Sequence, residues 1–436
     1  MLSHRTVLAI AVPMILSGIT IPLAGMVDAA VVGHLDEPRH LAAVAVASSL
    51  FAFLFMVFNF LRMGVTGRAA QFFGAADDVA LARLLRQGLV TALVIGGLLV
   101  VLQWPLASLG LELMGASPAV AAEAWRYFVV RIYGAPFLLG VYVVTGWLVG
   151  VQRPRAVLAL LLVNNGVNVL LDLLFVPGLE FGVVGVALAT VLADLTAFVF
   201  GCWLLQRDRW LSRLWRVRRL FLPGEALQLF HLNRDLFLRT VALMSVFTFF
   251  TAQGARQGDV ILGANAVLLG MFVLAAYGLD GFAYAAEALV GEALGRGQPG
   301  ALERALRLTL SWSALQALLM TVAFLLIGAW WIDRLTTLLE VRAVARDYLP
   351  WVVVLPPVAF WAFWLDGVFV GATLGRDMRD SMLFSAAVFV LAWYLLRPFG
   401  NHGLWLAMTL FFALRGLLLG LRLRRHRREW AGNGDG

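Results

Sequence analysis

The chain of 436 residues divides into twelve apolar runs, roughly 8–33, 43–72, 84–105, 122–150, 156–176, 183–206, 233–255, 261–292, 302–330, 344–372, 381–397 and 403–423. A helix needs about 20 apolar residues to cross a bilayer, and these runs are close to that length or beyond it. In hydrocarbon the backbone must satisfy its own N–H and C=O groups, which leaves only helices or a closed barrel. No stretch alternates as barrel strands do. The expected fold is therefore an all-α polytopic membrane protein with twelve transmembrane helices. The second and eighth runs are long enough to tilt or to project beyond the lipid. The first run lacks a short apolar core followed by a small-residue cleavage site, so it reads as a span. Composition agrees: 61% of residues are hydrophobic and 14% charged, whereas soluble domains run near half and a quarter.

The formal net charge is +8, and every basic residue is arginine. The arginines read as confined to the connections and the C-terminal tail, so the charge marks membrane orientation and no nucleic-acid partner is expected. With Arg5 in the cytoplasm, Arg83 and Arg86, Arg153 and Arg155, Arg304 and Arg307, and Arg376 and Arg379 all fall on the same side. So do the arginines of 207–219 and of the tail. Asp36-Glu37, Glu112 and Glu123 fall opposite, and both termini are then cytoplasmic. The single cysteine, Cys202, excludes an intrachain disulfide. His34, His40 and His402 have no metal-ligand spacing and read as solvated. No Walker sequence, nucleophile elbow or zinc-ligand pair appears, which argues against an ATP-driven pump and against an enzyme.

The chain repeats itself at a shift of 221 residues. Ala80-Leu81-Ala82-Arg83-Leu84-Leu85-Arg86 aligns with Ala301-Leu302-Glu303-Arg304-Ala305-Leu306-Arg307. Pro136 falls on Pro357, Gly74 on Gly295, and Gly146 with Gly150 on Gly367 with Gly371. Six spans per repeat give both halves the same orientation, related by an axis along the membrane normal. Parallel repeats of this kind put substrate between bundles that alternate access. The expected domains are a bundle at 1–206, a basic amphipathic linker at 207–232 on the inner leaflet, a bundle at 233–423 and a basic tail at 424–436.

The first span carries Pro13, Pro22, Gly18, Gly25 and, near its far end, Asp28. Proline weakens a helix locally, and an acid at membrane depth costs about 2.5–3.5 kcal/mol at a helix centre. A bendable helix with a titratable acid suits a cation-driven transporter. In the fifth span Asn164, Asn168 and Asp172 share one helix face. They either supply oxygens to a hard cation such as Na⁺, share a proton-holding network with Asp28, or act as interhelical glue. Thr190 of the sixth span can add a hydroxyl. In the eighth span Tyr277, Asp280, Tyr284 and Glu287 lie on one face and align with Met56, Asn59, Met63 and Thr66 of the second span. Asp366 aligns with Thr145. Asn59, Tyr277, Asp280, Tyr284, Glu287 and Asp366 are therefore substrate-binding candidates. Acid mixed with aromatic rings suits organic cations. Arg62, near the inner end of the second span, is expected to snorkel or to pair with an acid.

At these motifs the chain resembles the multidrug and toxic compound extrusion (MATE) transporters, in their DinF-like branch. The resemblance covers nearly the whole chain. It rests on Ala11-Val12-Pro13-Met14, Gly25-Met26-Val27-Asp28 with Gly33-His34-Leu35, and Asn168-Val169-Leu170-Leu171-Asp172. Gly185-Val186-Ala187-Leu188-Ala189-Thr190, Leu279-Asp280-Gly281-Phe282-Ala283-Tyr284 and Leu365-Asp366-Gly367 with Gly371-Ala372-Thr373 complete it. It implies two six-helix bundles forming a V, and drug/cation antiport. It also implies cation or proton coupling at Asp28, Asn168, Asp172 and Thr190, and a bend of the first helix at Pro13. Asp366 matches an acid used for Na⁺ coupling in other branches, whereas the acid those branches carry on the seventh helix is missing here.

The expected function is secondary active export of organic cations or amphipathic drugs in exchange for H⁺ or Na⁺, with no other cofactor. The protein is expected to act as a monomer among membrane lipids in a bacterial inner membrane. Two alternatives are a flippase for lipid-linked sugars, against which the acidic central candidates speak, and a membrane-embedded enzyme acting on lipid substrates.

Overall fold

The computed structural model describes residues 2–33, 38–214 and 224–432. Among them the chain is helical, with short turns and no strand. Two compact units emerge, one of residues 16–229 and the other of residues 1–15 with 230–436.

The first unit holds α1 (His4–Val32) from Leu16 onward, then α2 (Pro38–Val57), α3 (Phe60–Gly74), α4 (Asp78–Val101), α5 (Gln103–Met114), α6 (Pro118–Arg131), α7 (Ala135–Gly150), α8 (Pro154–Leu173), α9 (Gly182–Arg207) and the short α10 (Trp210–Leu214). The second holds the start of α1 with α11 (Glu225–Ala255, from Phe230), α12 (Asp259–Gly295), α13 (Pro299–Leu335), α14 (Leu339–Gly371), α15 (Gly375–Leu396) and α16 (Gly400–Gly432). Among the described residues, ten helical stretches are long and apolar enough to cross a membrane. The last of these, Gly375–Trp430, joins α15 and α16. The described part of α1 adds a shorter apolar stretch, His4–Thr20. The long second span proves to be two helices, with the break at Phe58 and Asn59.

The 221-residue repeat is built into the backbone. A Cβ added at Gly146 of α7 would run into the Arg62 carbonyl of α3. One added at Gly367 of α14 would run into the Ala283 carbonyl of α12, at the corresponding position of the other half. One turn on, a Cβ at Gly150 would lie 2.8 Å from the Thr66 oxygen, and one at Gly371 would lie 2.5 Å from the Glu287 oxygen. Both helix pairs thus cross at backbone contact, as small residues permit in membranes. The turns that follow α7 and α14 repeat as well. Gln152 and Thr373 both take left-handed φ, 58° and 57°. The Arg153 and Leu374 amides then close on the Leu148 and Phe369 carbonyls at 2.8 and 2.9 Å, the six-to-one bond of a Schellman cap.

Aromatic packing fills the second unit's core. The Phe250 and Trp405 rings meet edge to face at 4.9 Å, and Phe272 and Phe412 at 5.3 Å. Asn265 and Asn401 exchange hydrogen bonds of 2.8 and 2.9 Å there, tying α12 to α16. In the first unit Trp147 donates to the Leu81 carbonyl at 3.3 Å and packs against Trp210 of α10. Arg213 of α10 pairs with Asp78 at 2.7 Å, so the start of the expected linker docks on this unit. Residues 215–223, including Trp215, Leu220 and Phe221, lie outside the described residues, as do His34 and the Asp36-Glu37 pair. The basic residues beyond 423 continue α16 as helix to Gly432. His402 is exposed, yet it accepts from Trp351 Nε1 at 3.1 Å, and its ring meets that of Tyr348 at 4.6 Å with the planes tilted by 58°.

Candidate functional site

The polar residues of the first unit gather where α8 faces α9. Asp172 is wholly buried and Asn168, one turn earlier, nearly so. The Asn168 side-chain amide donates to the Thr190 hydroxyl at 3.4 Å, and that hydroxyl donates to the Val186 carbonyl at 2.9 Å. Just past Asp172 the helix widens into a π-turn, Leu174–Gly178, with Pro177 inside it. Such turns recur at functional sites. The α1 helix is fastened beside this face: Asn165 donates to Thr20 at 2.8 Å, and Thr20 donates to the Ser17 carbonyl at 2.7 Å. Asp28 lies farther along α1 in the same unit, and its side chain is outside the described residues. Pro13 sits within continuous helix, two residues before α1 passes from one unit to the other.

Asn164, the third member of the α8 ladder, serves a different group. It donates to Asp194 of α9 at 3.2 Å. Asp194 also pairs with Arg131 of α6 at 2.9 Å, and both side chains are buried. The Arg131 guanidinium lies over the Phe51 and Phe55 rings at 5.5 and 5.3 Å. The face shared by Asn164, Asn168 and Asp172 is therefore divided between an ion pair and the Thr190 contact.

In the second unit Asp366 of α14 is buried and bonded by two guanidinium groups, Arg239 of α11 and Arg415 of α16. Asp280 of α12 lies near enough to Arg415 for the two opposite charges to attract. This corrects two expectations. Arginine is not confined to connections and tail, because Arg62, Arg131, Arg239 and Arg415 are buried within helices. The second unit's polar centre is not acidic but mixes two acids with two arginines. Arg239 stands on the seventh of the expected spans, so that helix brings a cation to Asp366. Along α12, Glu287 is buried while Tyr277, Asp280 and Tyr284 are partly exposed. Asn59, at the α2–α3 break, accepts from Arg62 Nε at 3.2 Å.

Asp194, Arg131, Arg239 and Arg415 are the residues that sequence reasoning passed over. Each lay inside an expected span, and a charge within an apolar run was the available signal.

A MatE family profile matches residues 13–174 and again 236–396, once in each half of the repeat. The chain belongs to the MatE family of transporters. DNA damage-inducible protein F of Escherichia coli is 43% identical to this MatE protein over 435 residues, covering 98% of this chain and 93% of the relative. A probable multidrug resistance protein NorM of Bradyrhizobium diazoefficiens is 30% identical, covering 98% and 94%. Among solved structures, MATE in the straight conformation superposes with TM-score 0.89 at 20% identity, over 98% of this chain and 97% of that one. This MatE protein is thus a multi-pass membrane protein of a transporter family and not an enzyme. Members of the family handle small organic compounds or drugs.

Proposed function

We propose that the chain is a secondary active exporter that moves cationic or amphipathic organic compounds outward in exchange for H⁺ or Na⁺. The observation that carries this reading is Asp172, a carboxylate wholly shut from solvent one turn from the Asn168–Thr190 contact. A proton neutralises such a group, or a hard cation takes its oxygens together with those of Asn168 and Thr190. Asp28 supplies the second carboxylate of this coupling set. Loss of charge there changes how α1 packs, with Pro13 as the point of bending, and substrate leaves outward. A ligand shifts conformers only by its differential affinity for them, so coupling ion and substrate compete. The setting is a bacterial inner membrane with both termini in the cytoplasm, where the protein works as a monomer among lipids.

Substrate contacts in the second unit fall to Tyr277, Asp280, Tyr284 and Glu287. Asp366, already engaged by Arg239 and Arg415, is assigned to holding α11, α14 and α16 together. In the first unit Asn59 remains a candidate through its bond to Arg62.

Export from proteoliposomes, with a pH gradient and a Na⁺ gradient imposed separately, tests the proposal. Wild-type protein exports under one of them, and Asp28→Asn and Asp172→Asn lose that gradient dependence. Export at wild-type rates by both variants overturns the coupling site. A second reading, transport of an anionic lipid-linked substrate, draws on Arg239 and Arg415. It requires transport of such a substrate in the same vesicles where organic cations are not moved.

A further inference from the structure

Within the second unit, α13, α14 and α16 leave an open groove of about 570 Å³ between them. Its walls are apolar for most of its length, from Pro357 and Ala413 through Trp361 and Leu417 to Leu421. Trp361, Leu417 and Leu421 are 44%, 59% and 51% exposed. Its other tryptophan, Trp364, has its N–H satisfied by Thr309 at 2.9 Å, so it offers a ligand only a ring face. At one end the lining changes abruptly to Arg424 and Arg427. Arg427 is held by Glu303 at 2.6 Å, whereas Arg424 forms no ion pair among the described residues.

The length of this gradient identifies what fits. From Ala413 to Arg424 the helix rises about 16 Å, which is half of the roughly 30 Å hydrocarbon core of a bilayer. An apolar channel one leaflet long, with a guanidinium at the level where headgroups begin, matches a single phospholipid. Basic pockets between membrane helices select anionic headgroups. We propose that this groove is a binding site for one anionic phospholipid, with an acyl chain along Trp361 and Leu417 and its phosphate at Arg424, assisted by Arg427. The site is independent of the coupling residues proposed above.

Native mass spectrometry of the full-length protein in detergent, with phosphatidylglycerol and phosphatidylethanolamine of identical chains added in turn, tests the assignment. The wild type retains phosphatidylglycerol over phosphatidylethanolamine. Arg424→Gln weakens phosphatidylglycerol about fivefold, the worth of one arginine near a membrane surface, and weakens phosphatidylethanolamine by less, because its ammonium offsets the charge of its phosphate. Gly420→Leu fills the groove from a position where an added Cβ meets nothing nearer than Leu365 Cδ1 at 3.9 Å, and it weakens both lipids. Equal retention of the two lipids by the wild type overturns the proposal, as does unchanged phosphatidylglycerol binding in either variant. Should a variant not fold, a phosphatidylglycerol bearing a diazirine in its acyl chain gives a second measurement on wild-type protein. Cross-links at Leu417 or Leu421 support the site, and cross-links confined to other helices refute it.

Discussion

A carboxylate at bilayer depth is expensive unless something neutralises it, and Asp194 has both a guanidinium and an amide on it. Removing one member of a buried pair leaves the other uncompensated, at a cost of about 3–5 kcal/mol. Asp194→Asn should therefore lower the thermal unfolding temperature of the purified protein sharply. Replacing both partners together, Asp194→Leu with Arg131→Met, should recover much of the loss. An Asp194→Asn protein that melts with the wild type excludes a structural role for the pair. Asp172 predicts the opposite pattern: Asp172→Asn keeps the fold and loses the gradient dependence of export. The sequence made Asp172 visible because it shares a helix face with Asn168. Asp194 and Arg131 were not visible in that way, because they lie on different helices and periodicity connects only residues within one helix. Counting arginines by connection, as an orientation argument must, also passes over Arg239 and Arg415, which sit between the connections.

Among helices, the glycine crossings were legible in outline and not in kind. Gly146 and Gly367 aligned in the repeat, but nothing in a linear pattern says that each lies against a carbonyl of the neighbouring helix. Gly146→Ala and Gly367→Ala should each cost about 1–3 kcal/mol through overpacking, and Gly420→Ala should be nearly neutral, as its site has room. Thermal unfolding of the three variants checks this, and a harmless Gly367→Ala removes the argument for backbone contact. The left-handed turns make a prediction of opposite sign. Thr373 holds φ 57° with a branched Cβ, a conformation that costs about 1–2 kcal/mol outside glycine. Part of that gain is lost to the entropy of glycine, so Thr373→Gly should stabilise by roughly 0.5–1 kcal/mol, read as a higher unfolding temperature.

For the whole molecule, the apolar runs and the repeat carried most of the fold, because a membrane permits so few ways to satisfy a backbone. They missed the break at Asn59, which lies within one apolar run, and the continuation of α16 into the basic tail. Orientation is testable on intact cells. In a Cys202→Ser background, a membrane-impermeant maleimide should label Glu112→Cys and should not label Arg376→Cys. Both positions are exposed, and the reverse pattern inverts the topology. The duplicated seam carries a further consequence for how such a protein works. Where two helices meet main chain to main chain, there is no side-chain cushion to reshuffle, so α3 with α7 and α12 with α14 must each turn as a welded pair. Spin labels placed across either seam should keep one distance throughout the transport cycle, which leaves the remaining helices to do the bending.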